Sequence, residues 1–257
     1  MLGKKFSLVL GIGLLGASML SLNSCGKDKE PDGGGGEGCK NTSTEPIFDE
    51  IPNLDFEEWV SGSGVGTKYQ NPAPANFWAT PNNGSGKIGT IAEVPVTVFK
   101  VGGDSVYSGN AAVMLKTGSG MLSGKETVVA ATVASGVFAI DITNPLKSLS
   151  FGKRFNKRPK TVSGYYRYFP VSGDSASVYC FVTKLDKNCK PDTIGFGRKL
   201  FYDQQASYAK FEFDLEYKNT DTPDNIVIYF SSSEAGDDFK GQPGNTLFID
   251  AVNVEYH

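Results

Sequence analysis

An all-β fold, a jelly-roll sandwich of two antiparallel sheets, is what this 257-residue sequence predicts. Three observations carry the prediction. The first is composition: 31 Gly, 17 Phe and 11 Tyr suit aromatic-rich strands separated by turns. The second is a strict period of two over residues 211–217, where Phe211, Phe213, Leu215 and Tyr217 alternate with Glu212, Asp214 and Glu216. Such a run buries one face and wets the other. The third is the recurrence of short apolar runs between turn signals such as Gly102-Gly103-Asp104, Ser172-Gly173-Asp174 and Asp186-Lys187-Asn188. No convincing amphipathic helix interrupts them.

Taken in order, the chain begins with a targeting segment. Lys4 and Lys5 precede an apolar run over residues 6–22, closed by Leu22-Asn23-Ser24-Cys25. The run is short and Gly-rich for a membrane span. Residues 1–24 therefore read as a lipoprotein signal peptide, with Cys25 as the lipidated first residue of the mature chain. Residues 25–46 form a tether, charged from Lys27 to Asp32 and flexible from Gly33 to Gly36. Charges directly after the cysteine resemble the export signals of surface lipoproteins in Gram-negative gut bacteria. The expected location is the outer membrane, at the cell surface, otherwise facing the periplasm. That compartment is oxidising, so a bridge between Cys180 and Cys189 is allowed, although spacing does not fix the pairing of Cys39, Cys180 and Cys189.

Residues 47–257 read as a single domain, long enough to bury its own core. Strands are expected over 54–59, 94–101, 111–117, 128–133, 137–142, 161–169, 175–184, 193–202, 211–217, 225–230 and 246–256. The mostly apolar run 225–230 has the pattern of a strand buried on both faces.

Charge and composition exclude several functions. A formal charge of −3 leaves no basic footprint for nucleic acid. The one His is His257, which removes most His-dependent catalysis and His-rich zinc sites. There is no nucleophile elbow, phosphate loop or Cys/His metal pattern. Catalysis would fall to carboxylates, and among 28 acidic residues a suitable pair carries no signal.

Asp250 stands out in the last strand, because it shares parity with Phe248, Val252, Val254 and Tyr256. A carboxylate on a core-facing position needs a cation or strong hydrogen bonds. The alternative is a bulge that slips the parity. A jelly roll commonly brings its first and last strands together, so Asp250 and carboxylates of residues 53–59 could share a Ca²⁺ ion with backbone carbonyls. For Glu57 and Glu58 the alternative is an ordinary solvated edge.

Several motifs together resemble a known family. Asn53-x-x-Phe56-Glu57, Tyr107-Ser108-Gly109-Asn110-Ala111-Ala112 and Leu247-Phe248-Ile249-Asp250 are similar to carbohydrate-binding modules of the galactose-binding jelly-roll type. Phe151-Gly152-x-x-Phe155-x-x-Arg158-Pro159, Gly164-Tyr165-Tyr166-x-Tyr168 and Phe239-x-Gly241-x-x-Gly244-Asn245 resemble the putative carbohydrate metabolism domain of gut-bacterial surface lipoproteins. The resemblance implies a structural Ca²⁺ held by Glu57 and Asp250, with Ser108 or Asn110 adding oxygens. It also implies a glycan ligand. Sugar sites combine aromatic faces with sparse polar groups, and Trp78, Arg158, Tyr166 and Tyr168 are the expected set. Tyr166 and Tyr168 share one strand parity, and Tyr165 and Arg167 the other. The expected role is glycan capture without chemistry, beside protein partners of a sugar-uptake system. A structural or adhesion subunit is the alternative, and a glycoside hydrolase a lesser one.

Overall fold

The computed structural model describes residues 44–139, 141 and 147–257; the signal segment, Cys25 and Cys39 lie outside them. β1 (Trp59–Ser63) and β2 (Lys68–Pro72) form a hairpin. β3 (Trp78–Ala79) is a two-residue strand that delivers Trp78 to the core. β4 (Gly86–Ile88) and β5 (Ala92–Val94) begin a small four-stranded sheet. The strand expected over 94–101 breaks around Pro95, which has no amide for the ladder, and resumes as β6 (Val98–Val101). β7 (Ala112–Lys116) pairs with β6, while β8 (Gly118–Leu122) and β9 (Lys125–Val129) complete the small sheet. β10 (Thr132–Phe138), β11 (Leu149–Phe151) and β12 (Lys153–Arg154) follow. Next come β13 (Pro159–Phe169), β14 (Ala176–Leu185), β15 (Pro191–Phe201) and β16 (Gln205–Asp214). The chain ends on β17 (Glu216–Tyr217), β18 (Asn225–Ser231) and β19 (Thr246–Tyr256).

Two large antiparallel sheets make the sandwich. One has five strands in the order β16-β13-β19-β7-β6. The other has eight, running β11-β10-β18-β14-β15-β17, with β3 on β10 and β12 on β18. Both contribute to one core. Val113, Leu115, Val162 and Ile249 come from the first sheet, and Val133, Val178, Ile228 and Phe230 from the second. β18 lies between β10 and β14 and is buried along nearly its whole length, as its apolar run requires.

The run 211–217 alternates as expected, yet it serves both sheets. Phe211 and Leu215 are buried while Glu212, Asp214 and Glu216 are exposed. β16 ends at Asp214, and Glu216 pairs with Phe196 of the other sheet. The chain turns its corner at Leu215, whose amide donates to the Lys160 carbonyl at 2.9 Å.

Other expectations are corrected. The run expected as one strand over 128–133 is divided between β9 and β10, and residues 140 and 142 of the run expected over 137–142 lie outside the described residues. Residues 54–58 are a turn rather than the first strand, because Asn53 and Phe56 both take positive φ. Asn53 tolerates that conformation and holds the turn, its Oδ1 accepting from the Glu58 amide at 2.9 Å and its Nδ2 donating to the Ala73 carbonyl at 2.8 Å. The segment still docks on the last strand, where the Val252 amide donates to the Leu54 carbonyl. Cys180 is free and buried, whereas Cys189 is disulfide-bonded, so these two do not close a loop together. Among the described residues no helix is long and apolar enough to cross a membrane.

Candidate functional site

Asp250 owes its position to a bulge. Leu247 and Ile249 face the core before it, and Val252 and Val254 face the core after it. The parity slips at Ala251, which takes φ +46°, opposite a register shift between Ser163 and Tyr165. Asp250 thereby shares the outer side of β19 with Phe248, yet its side chain is fully covered by the loop before β7. Asp250 Oδ2 accepts from the amides of Tyr107 at 2.7 Å and Ser108 at 3.1 Å, and Oδ1 from that of Ala251 at 2.6 Å. Burial pushes its carboxyl above the usual range, these amides pull it back, and the charge of Glu57 adds to the upward push.

Glu57 reaches the same loop from the opposite end of the chain. Its Oε1 accepts from the amides of Asn110 at 2.7 Å and Ala111 at 3.2 Å, and the Asn110 amide is the main reason its carboxyl sits below its ordinary value. Gly109, at φ +67°, is required here, since a Cβ would collide with Glu57 Oε1. The structure thus brings Glu57, Ser108, Asn110 and Asp250 together, but it turns amide donors of the loop toward the carboxylates. Among the described residues no group of three or more His, Cys, Asp or Glu is placed to hold a metal.

The carbohydrate set of Trp78, Arg158, Tyr166 and Tyr168 is not brought together. Trp78 is only 2% exposed, packed against Phe56, Phe77 and Phe230, with Nε1 donating to the Pro52 carbonyl at 3.0 Å. Its pairing with β10 places it in the core, so no ring face is open to a sugar. Tyr168 is fully buried; its hydroxyl donates to the Asp174 carbonyl at 3.0 Å and accepts from Asn245 Nδ2 at 2.9 Å. The Tyr166 ring packs on Phe201 at 4.1 Å, on the core side. Arg158 lies over the Tyr217 ring at 3.9 Å and donates to the carbonyls of Asp221 at 2.6 Å and Asn219 at 3.0 Å. It clamps a loop through these carbonyls, where the sequence expectation was a place in the carbohydrate set.

Parity on β13 explains this outcome. Val162, Gly164, Tyr166 and Tyr168 point inward, and Gly164 is needed because a Cβ would press on the Phe211 ring at 2.8 Å. Tyr165, Arg167 and Phe169 therefore point outward. Register pairs Tyr165 with Asp250 and with Lys210, and Arg167 with Phe248. Tyr107 stacks on Tyr165, with centroids 3.6 Å apart and rings 12° from parallel, and remains 44% exposed. Tyr208 meets Tyr107 edge-on at 5.7 Å, its hydroxyl donating to the Ser105 carbonyl at 2.7 Å. Burial pushes the Tyr208 phenol upward, helped by the Asp250 charge and opposed by that of Arg167.

The Arg167 guanidinium lies 4.8 Å from the Phe248 ring centre, 5.5 Å from Phe169 and 5.6 Å from Tyr208. The outer face of the five-stranded sheet is therefore an aromatic platform with Arg167 set among its rings and Lys210 beside Tyr165. The same row runs from Phe248 to Met114 and Phe99 across β19, β7 and β6. At its end Phe99 lines an open groove of about 770 Å³ with Tyr69, Lys68 and Lys100. Of this platform Tyr107 and Phe248 lie in the quoted motifs, and Tyr165 and Arg167 form the opposite-parity pair; Val162 on the inward parity was the available signal for choosing between the pairs.

The family model described as "Putative carbohydrate metabolism domain" matches two segments of the chain, residues 55–192 and 185–255. No curated protein matches the sequence. A solved structure described as a putative glycoside hydrolase from Bacteroides thetaiotaomicron superposes with a TM-score of 0.62 at 22% identity, over 79% of this chain and 70% of its own. A second, described as a putative glycoside hydrolase from Bacteroides vulgatus, gives a TM-score of 0.64 at 18% identity, over 79% of this chain and 97% of its own. At these identities the likeness is one of fold.

Proposed function

Because this chain belongs to the putative carbohydrate metabolism domain family, we propose that it captures glycan chains without cleaving them, on the outer face of its five-stranded sheet. The observation that carries the reading is the convergence of Tyr107, Tyr165 and Tyr208 beside Arg167 on that face. Tyrosines offer apolar ring faces with polar tips, and arginine adds hydrogen-bond donors. Asp250, the acid beneath this cluster, is committed to three backbone amides, and Glu212 is paired with Lys210, which supports capture over hydrolysis. Lipidation at Cys25 holds the domain at the outer membrane, facing outward, where it hands glycan to protein partners of an uptake system. Radiolabelled palmitate incorporated by the wild type and not by Cys25→Ala would bear on that anchor.

A Ca²⁺ ion belongs to the same proposal. Glu57 and Asp250 repel each other across the loop, and a divalent charge would relieve that. Glu57, Asp250, Ser108 and Asn110 would hold it, and the ion would lock the loop that carries Tyr107. Addition of chelator to the full chain should lower its melting temperature, with no such drop in Glu57→Gln; an unchanged melting temperature would remove the ion from the proposal.

Affinity electrophoresis of the full chain against plant, host and microbial polysaccharides tests the glycan reading. Retardation by at least one, weakened by Tyr165→Ala, is expected. A folded protein retarded by none would be read instead as a structural or adhesion subunit.

A further inference from the structure

Four arginines occur in the sequence, and all four are described. Three of them have an oxygen partner. Arg154 donates to the Glu45 carbonyl at 2.8 Å, Arg158 to the carbonyls of Asp221 and Asn219, and Arg198 lies 4.0 Å from Glu234. Arg167 has none: among the described residues no hydrogen bond reaches its guanidinium and no carboxylate lies within 4.0 Å of it. Its Nε is buried without an acceptor. The nearby charges are otherwise occupied. Asp250 accepts from three amides, and Lys210 is paired with Glu212 at 2.6 Å.

The three rings around Arg167 do not satisfy it. Aromatic rings attract the faces of a guanidinium and fix its plane, but its N–H donors point outward along the edges. A plane fixed in this way, with an unfilled edge, matches the two oxygens of a carboxylate. A neutral sugar hydroxyl would use one donor at a time and leave the charge uncompensated. The exposed ring of Tyr107, backed by the Tyr165 ring stacked beneath it, offers a sugar face beside it.

Resting on the glycan reading above, we propose that the platform selects acidic glycans, with Arg167 binding the carboxylate of a uronic acid residue while the adjacent tyrosines hold the sugar ring. Lys68 and Lys100 line the groove that Phe99 shares at the far end of the same row.

The test is a binding titration of the full chain with polygalacturonate and with the same polymer after carboxyl reduction, repeated with glucuronoxylan and unsubstituted xylan. The acidic member of a pair should bind at least about tenfold more tightly, since hydrogen bonds to charged groups contribute about 1.5–3 kcal/mol. Arg167→Gln should remove the preference. Arg167→Lys, which keeps the charge and loses the fork, should retain only part of it. The wild-type comparison needs no variant, so a misfolded Arg167→Gln does not decide the matter. Equal binding of acidic and reduced polymers would overturn the carboxylate inference and leave glycan capture standing. Preference for dextran sulfate over polygalacturonate would overturn the carboxylate in favour of a tetrahedral anion. Absence of binding to every polymer, acidic or neutral, would overturn both readings.

Discussion

Both outer faces of the sandwich carry rows of aromatic rings, and they differ in what their polar groups have left to give. On the eight-stranded sheet, Phe151 meets Tyr229 at 5.5 Å, Tyr229 meets Tyr179 at 5.9 Å, and Tyr179 meets Phe196 at 6.1 Å. This row looks as much like a sugar platform as the one on the five-stranded sheet, and Phe196 at its end is 38% exposed. Its polar groups, however, close on one another. Glu234 accepts from the Tyr179 hydroxyl at 3.3 Å and from the Ser175 hydroxyl at 3.1 Å, and faces Arg198 at 4.0 Å. On the other face Arg167 finds no such acceptor among the described residues. Aromatic rings thus do not separate the two faces, whereas unspent hydrogen-bonding capacity does.

The largest effect expected tests the inner layer that both faces share. Trp78→Ala should cost about 3–5 kcal/mol, because it empties a site packed among Phe56, Phe77 and Phe230. Denaturant titration should show a lower midpoint with an unchanged slope. A Trp78→Ala protein that is stable but blind to glycan would return Trp78 to the binding surface and break the assignment of faces.

Next in size is the difference between the faces themselves. Tyr165→Ala and Tyr208→Ala should each weaken binding to the preferred polysaccharide by about three- to tenfold, the range of one aromatic contact. Phe196→Ala and Tyr179→Phe on the other face should leave affinity unchanged. Titration of all four against one polymer checks this, and a reversed pattern would move the site to the eight-stranded sheet.

How much of this was legible beforehand depends on the range of the interaction involved. Alternation over 211–217 and the apolar run 225–230 are local, and both gave strands. The bulge at Asp250 was one of two local alternatives; the clash that needs Gly164 and the left-handed turn at Asn53 decide such cases only in three dimensions. The site was less legible because its members meet through register. Tyr208 joins Tyr107 from a strand about a hundred residues away, and Tyr165 faces Lys210 only once β13 and β16 are paired. Trp78, set between prolines, fits a loop, a strand edge or the core until two residues of pairing to β10 decide for the core. Arg158 and Arg167 are indistinguishable as letters. What separates them is a pair of carbonyls some sixty residues downstream, at Asn219 and Asp221, that only Arg158 reaches.

Arg158 supplies a smaller prediction, confined to stability. Arg158→Ala removes two carbonyl bonds and a stacked ring, with an expected loss of about 1 kcal/mol and no change in glycan affinity. The ring beneath it adds an alkaline signature. Burial pushes the Tyr217 phenol up to about 12, against the pull of Arg158. A raised folded value means the native state holds its proton more tightly. That stability is complete below the unfolded value of ~10 and is lost as pH rises through about 12. Tyr217→Phe should flatten this alkaline limb in melting curves, and an unaltered limb would assign it elsewhere, Tyr256 being the other phenol pushed up to about 12.

The smallest effect lies at the tip of the β14–β15 hairpin and matters because it overlaps the charge test. Asp186 Oδ1 accepts from the amides of Asn188 at 2.8 Å and Lys190 at 2.9 Å. The Lys190 amide is the chief reason its carboxyl sits below the ordinary value. A depressed folded value contributes stability above the unfolded pKa and loses it as pH falls through the folded one. Acid should therefore loosen this turn slightly, and Asp186→Asn should remove the pH dependence of that loss. Uronate carboxylates also protonate in acid, so weaker binding there has two possible origins in the wild type. In Asp186→Asn the turn no longer titrates. Binding that still falls with pH in that variant belongs to the ligand carboxylate and Arg167, while binding that becomes flat would place the acid response in the turn and separate it from the platform.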